Sequence, residues 1–447
     1  MHPLLEDAAR RASAYLDGLP TRSVAPLPAA IARLHELDHA LPEGPQSAHA
    51  VLQQLDEFGS PATAAMAGGR FFGFVIGGAM PAALASNWLA TAWDQNAALH
   101  GPTPAVAVFE QVALNWLLDI LELPPTCAGA FVTGATQANL CGLAAARHAV
   151  LKQVGWDVEA DGLFGAAPIT VIVSNEAHPT LFKSLGVLGL GRSRVVRVAT
   201  DGQGRMRADQ VPEISGPTIL CLQAGNVNTG AFDPLAPLCV MAHAAGAWVH
   251  VDGAFGLWAA AAPELRGLCA GIEQADSWAT DAHKWLNVPY DSGLAFVRDG
   301  DSLRAAMSVS AAYLPTGAAR SPSDTTPELS RRARGVDVWA ALSSLGRSGV
   351  ADLITRCCRH ARRFAQGLTA AGHEVLNEVV LNQVMVRFGD AERTRRVIAE
   401  LQAEGTCWCG VTEWQGHTAM RISVSSWATT ADDVEISLAA MLAVADR

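Results

Sequence analysis

The chain has 447 residues and a formal net charge of −11; half of its residues are apolar and 17% are charged. A soluble globular chain of this length is expected to form two or more packed domains. The acidic balance disfavours nucleic acid and anionic membranes as partners, and no apolar run reaches the roughly 18–20 residues of a membrane-spanning helix.

The nine cysteines show no pattern of a metal site or a disulfide framework. Neither Cys357-Cys358 nor Cys407-Trp408-Cys409 has the spacing of a zinc site, and the histidines form no partner cluster. The first twenty residues mix acids and bases without the apolar core of a secretion signal. These features predict reduced, buried thiols in a cytoplasmic protein without a bound metal.

The first part of the chain has a helical pattern that gives way to alternating strands and helices. Residues 1–60 predict an N-terminal helical segment, and apolar spacing predicts further helices over Pro81–Thr91 and Val106–Glu122. Helix-length segments such as Gln137–Val150 and Leu235–Ala245 then separate short apolar strands. The predicted strands are Gly129–Thr133, Thr170–Ser174, Arg194–Val198, Thr218–Leu222, Trp248–Val251, Ser277–Thr280 and Gly293–Arg298. Their nearly continuous apolar character is typical of a mostly parallel sheet that is buried on both faces.

The composition changes after the last of these strands. Residues 301–330 are rich in Ser, Thr, Pro and Gly, which predicts a long mobile loop with a functional role. A helix is expected to start over Val336–Leu345. The remainder predicts helix 351–371, strand Val384–Phe388, helix 392–404, strand Met420–Val424 and helix 431–445. We therefore expect a large α/β domain over 61–345 and a smaller C-terminal domain over 346–447.

A lysine follows the predicted strand Ser277–Thr280, in the segment Asp281-Ala282-His283-Lys284-Trp285. The carboxyl ends of strands are where open α/β sheets bind their ligands. Lys284 is therefore a candidate for a functional amine, with an ordinary surface charge as the alternative.

An acid ends the predicted strand before it, in Val249-His250-Val251-Asp252-Gly253-Ala254. Burying a carboxylate requires a cationic or hydrogen-bonding partner, and a protonated pyridine nitrogen would be such a cation. The small Ala254 would leave room for a flat ring against the strand end. A solvated strand-end acid is the alternative for Asp252.

A small-residue turn joins the first strand to a helix in Phe131–Asn139, which reads FVTGATQAN. Unpaired N–H groups at such a helix start can hold a phosphate, and Thr136 would add a hydroxyl. The segment matches neither GxxxxGK[ST] nor GxGxxG, which disfavours a nucleotide. An ordinary Gly-rich turn is the alternative.

His178 follows the strand Thr170–Ser174 and could stack on an aromatic cofactor or simply cap a helix. Taken together, the four strand ends supply a phosphate cradle, a stacking ring, a buried acid and an amine. Pyridoxal 5'-phosphate (PLP) needs this set, and few other ligands need all of it.

These motifs resemble the group II PLP-dependent amino acid decarboxylases, which include the aromatic amino acid, glutamate and tyrosine decarboxylases. The similarity runs from about Arg70 to Ser423, and its most specific blocks are His250–Ala254 and Asp281–Trp285. The resemblance implies the type I fold, similar to aspartate aminotransferase, with a seven-stranded large domain and a small α+β C-terminal domain. It also implies a homodimer with active sites at the subunit interface.

Roles for individual residues follow from the same resemblance. It implies that Lys284 is the Schiff-base lysine, that Asp252 contacts the pyridine nitrogen and that His178 stacks on the ring. Ala135, Thr136 and His283 would hold the phosphate, and Ala254 would lie under the ring.

Asn228 is the candidate for a polar contact to the cofactor 3-hydroxyl or the substrate. It lies in Gly225–Asp233, where relatives often have a run of threonines.

Tyr313 is the residue that bears on reaction type. Its position in Ala312-Tyr313-Leu314, 29 residues after Lys284, resembles that of the mobile-loop tyrosine of the decarboxylases, which reaches into the neighbouring subunit. Relatives with phenylalanine at this position tend towards aldehyde formation. Ser330-Arg331-Arg332 resembles a segment near the partner's phosphate, and Arg421 resembles an arginine that binds substrate carboxylate in aminotransferases.

The resemblance implies decarboxylation of an L-amino acid to its amine and CO2. A PLP-dependent aminotransferase, an aldehyde-forming or aldolase-type enzyme, and a non-catalytic PLP-binding protein are the alternatives. The segment Phe71–Pro81, which contributes to the substrate pocket in relatives, is apolar and has no cation, so a neutral or aromatic substrate is expected.

Overall fold

The computed structural model of the chain describes residues 2–308 and 320–447. Within these ranges it has fourteen α-helices and eleven strands. The helices are α1 (His2–Gly18), α2 (Pro28–Arg33), α3 (Ala48–Ala62), α4 (Pro81–Trp93), α5 (Pro104–Ile120), α6 (Ala135–Lys152), α7 (Val158–Asp161), α8 (Pro179–Val187), α9 (Leu235–Ala244), α10 (Ala282–Trp285), α11 (Gly300–Met307), α12 (Arg334–Ala370), α13 (Ala391–Glu404) and α14 (Ala431–Ala445). The strands are β1 (Ala128–Val132), β2 (Thr170–Ser174), β3 (Val196–Val198), β4 (Thr218–Gln223), β5 (Trp248–Asp252), β6 (Ser277–Asp281), β7 (Gly293–Val297), β8 (Glu374–Val375), β9 (Gln383–Arg387), β10 (Gly410–Trp414) and β11 (His417–Ser423).

The chain divides into two compact units. The central unit consists of Ala79–Arg359 and Asn377–Gln383. The terminal unit consists of Met1–Gly78, His360–Leu376 and Val384–Arg447. The three-part division at residues 60 and 345 stays a prediction from the sequence.

A seven-stranded sheet forms the centre of the central unit, in the order β1-β7-β6-β5-β4-β2-β3. Strand β7 is antiparallel to both of its neighbours, whereas β6, β5, β4, β2 and β3 are parallel. Because β1 and β6 both run opposite to β7, the carboxyl end of β1 lies at the same edge as those of the parallel strands. The seven predicted strands are confirmed, each within two residues at either end.

The burial of these strands explains why they could be recognised. Every residue of β4, β5, β6 and β7 is buried. A strand with both faces covered favours a continuous apolar run over alternation, which is the pattern that predicted the sheet. The fold is thus the mixed α/β type that was expected.

Helix α6 covers the sheet and is built mostly from small residues. Twelve of its eighteen residues are buried, five of them alanines. Small side chains let the helix backbone lie close to the strands, so little of the helix faces water. This packing fixes the first turn of α6 at the carboxyl end of β1.

The predicted mobile loop over 301–330 is wrong in its first part. Gly300–Met307 forms helix α11, which begins where the Asp299 carboxylate accepts a hydrogen bond of 3.1 Å from the Asp301 N–H. Leu303 is fully buried on the inner face of this helix. The capping acid stabilises the helix start, and the buried leucine anchors it, although the surrounding composition is typical of loops.

A four-stranded sheet in the order β10-β11-β9-β8 lies in the C-terminal part of the chain. The predicted strands Val384–Phe388 and Met420–Val424 are present as β9 and β11, and helices 392–404 and 431–445 are present as α13 and α14. The two helical runs predicted at 336–345 and 351–371 are joined in α12 across Gly346, which has φ 61°. None of the described helices is long and apolar enough to cross a bilayer.

Candidate active site

A cavity of about 630 Å³ lies at the carboxyl edge of the seven-stranded sheet. The segments that follow β1, β2, β4, β5 and β6 all contribute to it, as expected for parallel strands whose carboxyl ends meet at one edge. The predicted site residues that line the cavity are Ala135, Thr136, His178, Asp252, Ala254, His283 and Lys284. Residues from four separate predicted motifs therefore meet in one place.

Lys284 lies in the one-turn helix α10, directly after β6. Its Nζ is 3.0 Å from Oδ2 of Asp281, the last residue of β6, and its side chain is 21% exposed. The buried Asp281 carboxylate therefore holds the lysine amine at the cavity wall, where a ligand can reach it.

The same carboxylate ties the lysine to the start of α6. The Ala135 N–H donates a hydrogen bond of 2.6 Å to Asp281 Oδ1. The first N–H groups of a helix have no partner within the helix, and their dipoles favour an anion. The first turn of α6 thus presents a positive end to the cavity at Ala135 and Thr136.

His283 lies beside this helix start with a defined tautomer. The Ser292 N–H donates to its Nδ1 at 3.1 Å, so Nε2 carries the proton of the neutral ring. Burial lowers the pKa of His283, which favours the neutral form. The ring also packs on Tyr290, with centroids 4.4 Å apart. Its Nε2 lies 3.6 Å from Asp281 Oδ2, and the ring lines the cavity.

Asp252 is a buried acid whose partners are neutral. Its Oδ2 accepts a hydrogen bond of 3.2 Å from Asn139 Nδ2, and its Oδ1 accepts one of 3.2 Å from the Ala254 N–H. No basic side chain in the described ranges forms an ion pair with it. Burying a carboxylate without a cation is costly, so this arrangement favours a ligand that brings a positive charge to the strand end.

His178 and Ala254 line the cavity beside Asp252. His178 is the N-cap of α8, and its Nδ1 lies 2.7 Å from the Thr180 hydroxyl and 3.4 Å from the Thr180 N–H. The cap contact that was the alternative for this histidine is thus present, and the ring lines the cavity as well.

Asn228 is buried but is not among the residues that line the cavity. Its N–H donates to Asn226 Oδ1 at 2.9 Å within the turn after β4, and the neighbours Gly225 and Val227 face the cavity instead. Gly225 is required here, because its φ is +94° and a Cβ would lie 2.8 Å from Gly256 Cα. The contact of Asn228 with a cofactor or substrate stays a prediction.

Gln223 is a cavity residue that the sequence pattern did not single out. It ends β4 directly opposite Asp252 in the sheet register, and its Nε2 donates to the Glu176 carbonyl at 3.2 Å. The signal that could have found it is its position: a polar residue at the end of an otherwise apolar strand.

Helix α8 supplies a second set of residues that the sequence pattern did not single out. Thr180, Lys183, Ser184 and Val187 all line the cavity, at the i, i+3, i+4 and i+7 spacing of one helix face. The Ser184 hydroxyl donates to the Thr136 carbonyl at 2.8 Å, which fixes this face against the start of α6. The sequence contains three lysines, Lys152, Lys183 and Lys284, so two of the three line this cavity.

Three other predicted residues are not placed in the cavity. Tyr313 lies outside the described residues. Arg421 lies on β11 in the terminal unit, and burial lowers its pKa. Arg331 is fully buried in an ion pair of 2.9 Å with Glu110, so its guanidinium is committed within the chain. The roles of Tyr313 and Arg421 stay predictions.

The residues present fit PLP. The cavity combines an accessible amine, a helix start suited to a phosphate, and a buried acid whose partners carry no charge. A flat ring that carries a phosphate, an aldehyde and a protonated nitrogen would satisfy each of these groups at once.

Comparisons with known proteins agree with this chemistry. The family model described as the pyridoxal-dependent decarboxylase conserved domain matches residues 30–388. The chain is 28% identical over 357 residues to a tyrosine decarboxylase of Papaver somniferum, covering 74% of this chain and 68% of that protein. It is 27% identical over 353 residues to an aromatic-L-amino-acid decarboxylase of Bacillus atrophaeus, covering 74% and 71%. A phenylacetaldehyde synthase of Petunia hybrida is 28% identical, over 59% of this chain and 55% of that protein.

The fold is shared with solved structures at lower identity. The structure of Oryza sativa TDC with PLP and tryptamine superposes with a TM-score of 0.91 at 23% identity, covering 100% of this chain and 97% of that one. Mouse CSAD also gives a TM-score of 0.91, at 21% identity, covering 99% and 98%. Since the family model spans most of the sequence, the chain belongs to the pyridoxal-dependent decarboxylase family and is an enzyme that uses pyridoxal phosphate.

Proposed function

We propose that the enzyme decarboxylates a neutral or aromatic L-amino acid to its amine and CO2, with PLP held on Lys284. The observation that carries the site assignment is the buried Asp252 carboxylate, which has only neutral partners in the described structure and shares one cavity with the Lys284 amine. The family supplies the reaction class.

The residues divide the task of holding the cofactor. Bound PLP would supply an electron sink for the pair of electrons left when the bond from Cα to the carboxylate breaks. Asp252 would keep a proton on the ring nitrogen, which makes the ring a better acceptor of electrons. Thr136 and the Nε2–H of His283 would donate to the phosphate, and Ala135, whose N–H is bound to Asp281, would contribute the positive end of the helix.

The remaining residues would orient the substrate and move the proton. His178 would cover the ring face and hold the breaking bond perpendicular to the ring, where the bond overlaps the π system. Tyr313 would then donate a proton to Cα in place of the lost CO2, as a general acid in a closed site.

The preference for a neutral or aromatic side chain rests on two observations. Phe71–Pro81 contains no cation that could receive an acidic side chain. Curated relatives include decarboxylases named for tyrosine, DOPA and tryptophan. Aldehyde formation is the second candidate, because phenylacetaldehyde synthases also appear among the relatives.

A panel of L-amino acids tests the proposal directly. Wild-type enzyme is expected to release CO2 and amine in equal amounts from an aromatic or other neutral amino acid, and little from glutamate. Aldehyde with peroxide would favour the second candidate, and a keto acid would indicate an aminotransferase.

Replacing Tyr313 with phenylalanine is expected to change the product rather than abolish cofactor binding. General acids contribute roughly 10²–10⁴-fold, so amine formation should fall by about that factor. Without this proton, the electron pair left at Cα would reduce O2, and water would then release the aldehyde and ammonia, with peroxide as the reduced oxygen product. Amine, aldehyde and peroxide are measured together, and a wild-type amine yield from Tyr313→Phe would remove the proton-donor role.

We also propose that the enzyme is a homodimer. Helix α4 exposes Trp88, Leu89 and Trp93, at 45%, 56% and 42% of their surfaces. The exposed Trp116 on α5 stacks on Trp339, with centroids 6.1 Å apart, so partly exposed aromatic residues continue onto a second helix. Exposed clusters of large apolar and aromatic side chains are typical of protein interfaces.

Leu89→Glu is expected to shift the enzyme from dimer towards monomer, because an unpaired charge in an interface is costly. Sedimentation measures the mass, and Val240→Glu on α9 is the matched control, since Val240 is 64% exposed on another helix. Equal dimer content in Leu89→Glu and wild type would contradict the assigned interface.

Mixing Tyr313→Phe subunits with Lys284→Ala subunits tests whether Tyr313 acts in the active site of the neighbouring subunit. If it does, each heterodimer has one site with neither defect, and activity should partly return.

We also propose that the enzyme is located in the cytoplasm. All nine cysteines are buried and free of disulfides, which is the usual state in a reducing compartment.

A further inference from the structure

A chain of four buried hydrogen bonds ends on the Asp252 carboxylate. The Trp248 indole Nε1 is 2.9 Å from Ser277 Oγ, and that oxygen is 2.8 Å from His250 Nδ1. His250 Nε2 is 2.8 Å from Asn139 Oδ1, and Asn139 Nδ2 is 3.2 Å from Asp252 Oδ2. These four hydrogen bonds therefore join strands β5 and β6 to helix α6.

The direction of every bond is fixed by the chemistry of the groups. An ionised Asp252 can only accept, so Asn139 presents its NH2 to the carboxylate and its carbonyl oxygen to His250. That oxygen accepts from His250 Nε2–H. Burial lowers the pKa of His250 to about 4, so the neutral ring has no second proton and its Nδ1 accepts from the Ser277 hydroxyl.

The hydrogen bond at the Trp248 end of this network has the same donor-to-acceptor direction. An indole nitrogen can only donate, so Trp248 donates to Ser277 and the serine proton is left to point at the histidine. All four bonds thus point towards Asp252, and no link has two donors or two acceptors facing each other.

The surroundings hold this chain in place. Asn139, His250 and Ser277 are completely buried. The His250 ring packs on Gly142, one turn after Asn139, where a Cβ would lie 2.8 Å from two ring atoms. The glycine thus leaves the space that the imidazole needs against the helix backbone.

We propose that Trp248, Ser277, His250 and Asn139 form a one-directional relay of donors that orients the Asp252 carboxylate for contact with the cofactor's ring nitrogen. The inference deepens the proposed function and rests on it. A donor that is itself held by a network of hydrogen bonds fixes the orientation of the carboxylate oxygen that accepts from it. Because the relay is neutral, it adds no cation that would compete with the ring nitrogen for Asp252.

The test follows the ring nitrogen itself, with PLP carrying ¹⁵N in the ring. Wild-type enzyme should give the ¹⁵N signal of a protonated ring nitrogen, and Asp252→Ala should move it towards the neutral value. Asn139→Leu, which has similar volume but no donor, should move the signal the same way. Hydrogen bonds to charged groups suggest a roughly ten- to hundred-fold lower kcat for this variant.

A conservative replacement separates positioning from mere packing. His250→Gln can still donate an N–H to Asn139, so it should retain more of the wild-type signal and kcat than His250→Leu. Ser277→Ala, one link farther away, should have a smaller effect than His250→Leu. Thermal melting of each variant shows how much stability it loses, and folded His250 and Ser277 variants keep the test available if Asn139→Leu does not fold.

The outcomes distinguish this inference from the proposed function. If Asp252→Ala changes the ¹⁵N signal but Asn139→Leu and His250→Leu only lower the melting temperature, the relay is overturned and the role of Asp252 stands. If Asp252→Ala leaves the signal of bound PLP unchanged, the proposed role of Asp252 fails, and the relay fails with it.

Discussion

Lys284→Ala is expected to abolish covalent attachment of PLP and to lower decarboxylation by roughly four to six orders of magnitude, as losses of nucleophilic residues do in other enzymes. The physical reason is the position of its amine, which is held 3.0 Å from the buried Asp281 carboxylate at the cavity wall. The absorbance band of the cofactor bound through Lys284 should disappear, whereas the circular dichroism spectrum should be retained.

Lys183→Arg is the matched control for this substitution. Lys183 also lines the cavity, so it is the alternative amine within reach of the same ligand. Arginine keeps the charge at this position but its guanidinium does not form the same bond with an aldehyde. Lys183→Arg should therefore keep the cofactor band that Lys284→Ala loses, and the opposite result would assign the cofactor to Lys183.

Asp252→Ala is expected to have the second-largest effect. Removing one partner of a buried ion pair costs about 3–5 kcal/mol, which corresponds to roughly two to four orders of magnitude in rate. The alanine variant would leave the ring nitrogen without an anion, so the ring would accept electrons less well. Turnover and PLP affinity are measured together, since both depend on this contact.

Asp252→Glu is the comparison that separates charge from placement. Glutamate keeps the anion but moves it by one methylene, so we expect a smaller loss than in Asp252→Ala. Equal and near-wild-type rates for both variants would show that Asp252 does not contact the ring.

The large sheet could be predicted because its strands are buried on both faces. Continuous apolar runs such as Thr218–Gln223 have few other structural explanations when helix-length segments separate them. The site residues followed from the same logic, since Asp252, His178 and Lys284 each come at or just after a strand end. The carboxyl ends of parallel strands lie at one edge of a sheet, so residues that are far apart in sequence could be predicted to share one site.

Elements with weaker local signals were missed. Strand β10, Gly410–Trp414, has only one buried residue of five, and it pairs only with β11 along one side. Its signal was the hairpin turn at Gln415-Gly416, where both residues have positive φ. Helix α11 was missed because its loop-like composition concealed the Asp299 cap.

Contacts between distant segments could not be inferred at all. Asn139 and His250 lie in motifs that the sequence analysis singled out, but nothing in the sequence indicates that they form one network of hydrogen bonds with Ser277. Lys183 illustrates the same limit: its helix face becomes relevant only once α8 is fixed against the start of α6.

Borohydride trapping tests the central claim most directly. The reagent reduces the carbon–nitrogen double bond between the cofactor and its lysine, so the cofactor stays on that side chain through proteolysis and mass spectrometry. With three lysines in the chain, each peptide can be assigned without ambiguity. We predict the label on Lys284 in wild type and in Lys183→Arg, and none in Lys284→Ala. A label on Lys183 or Lys152, or no label from enzyme that turns over, would contradict the assignment of Lys284 as the residue that holds the cofactor.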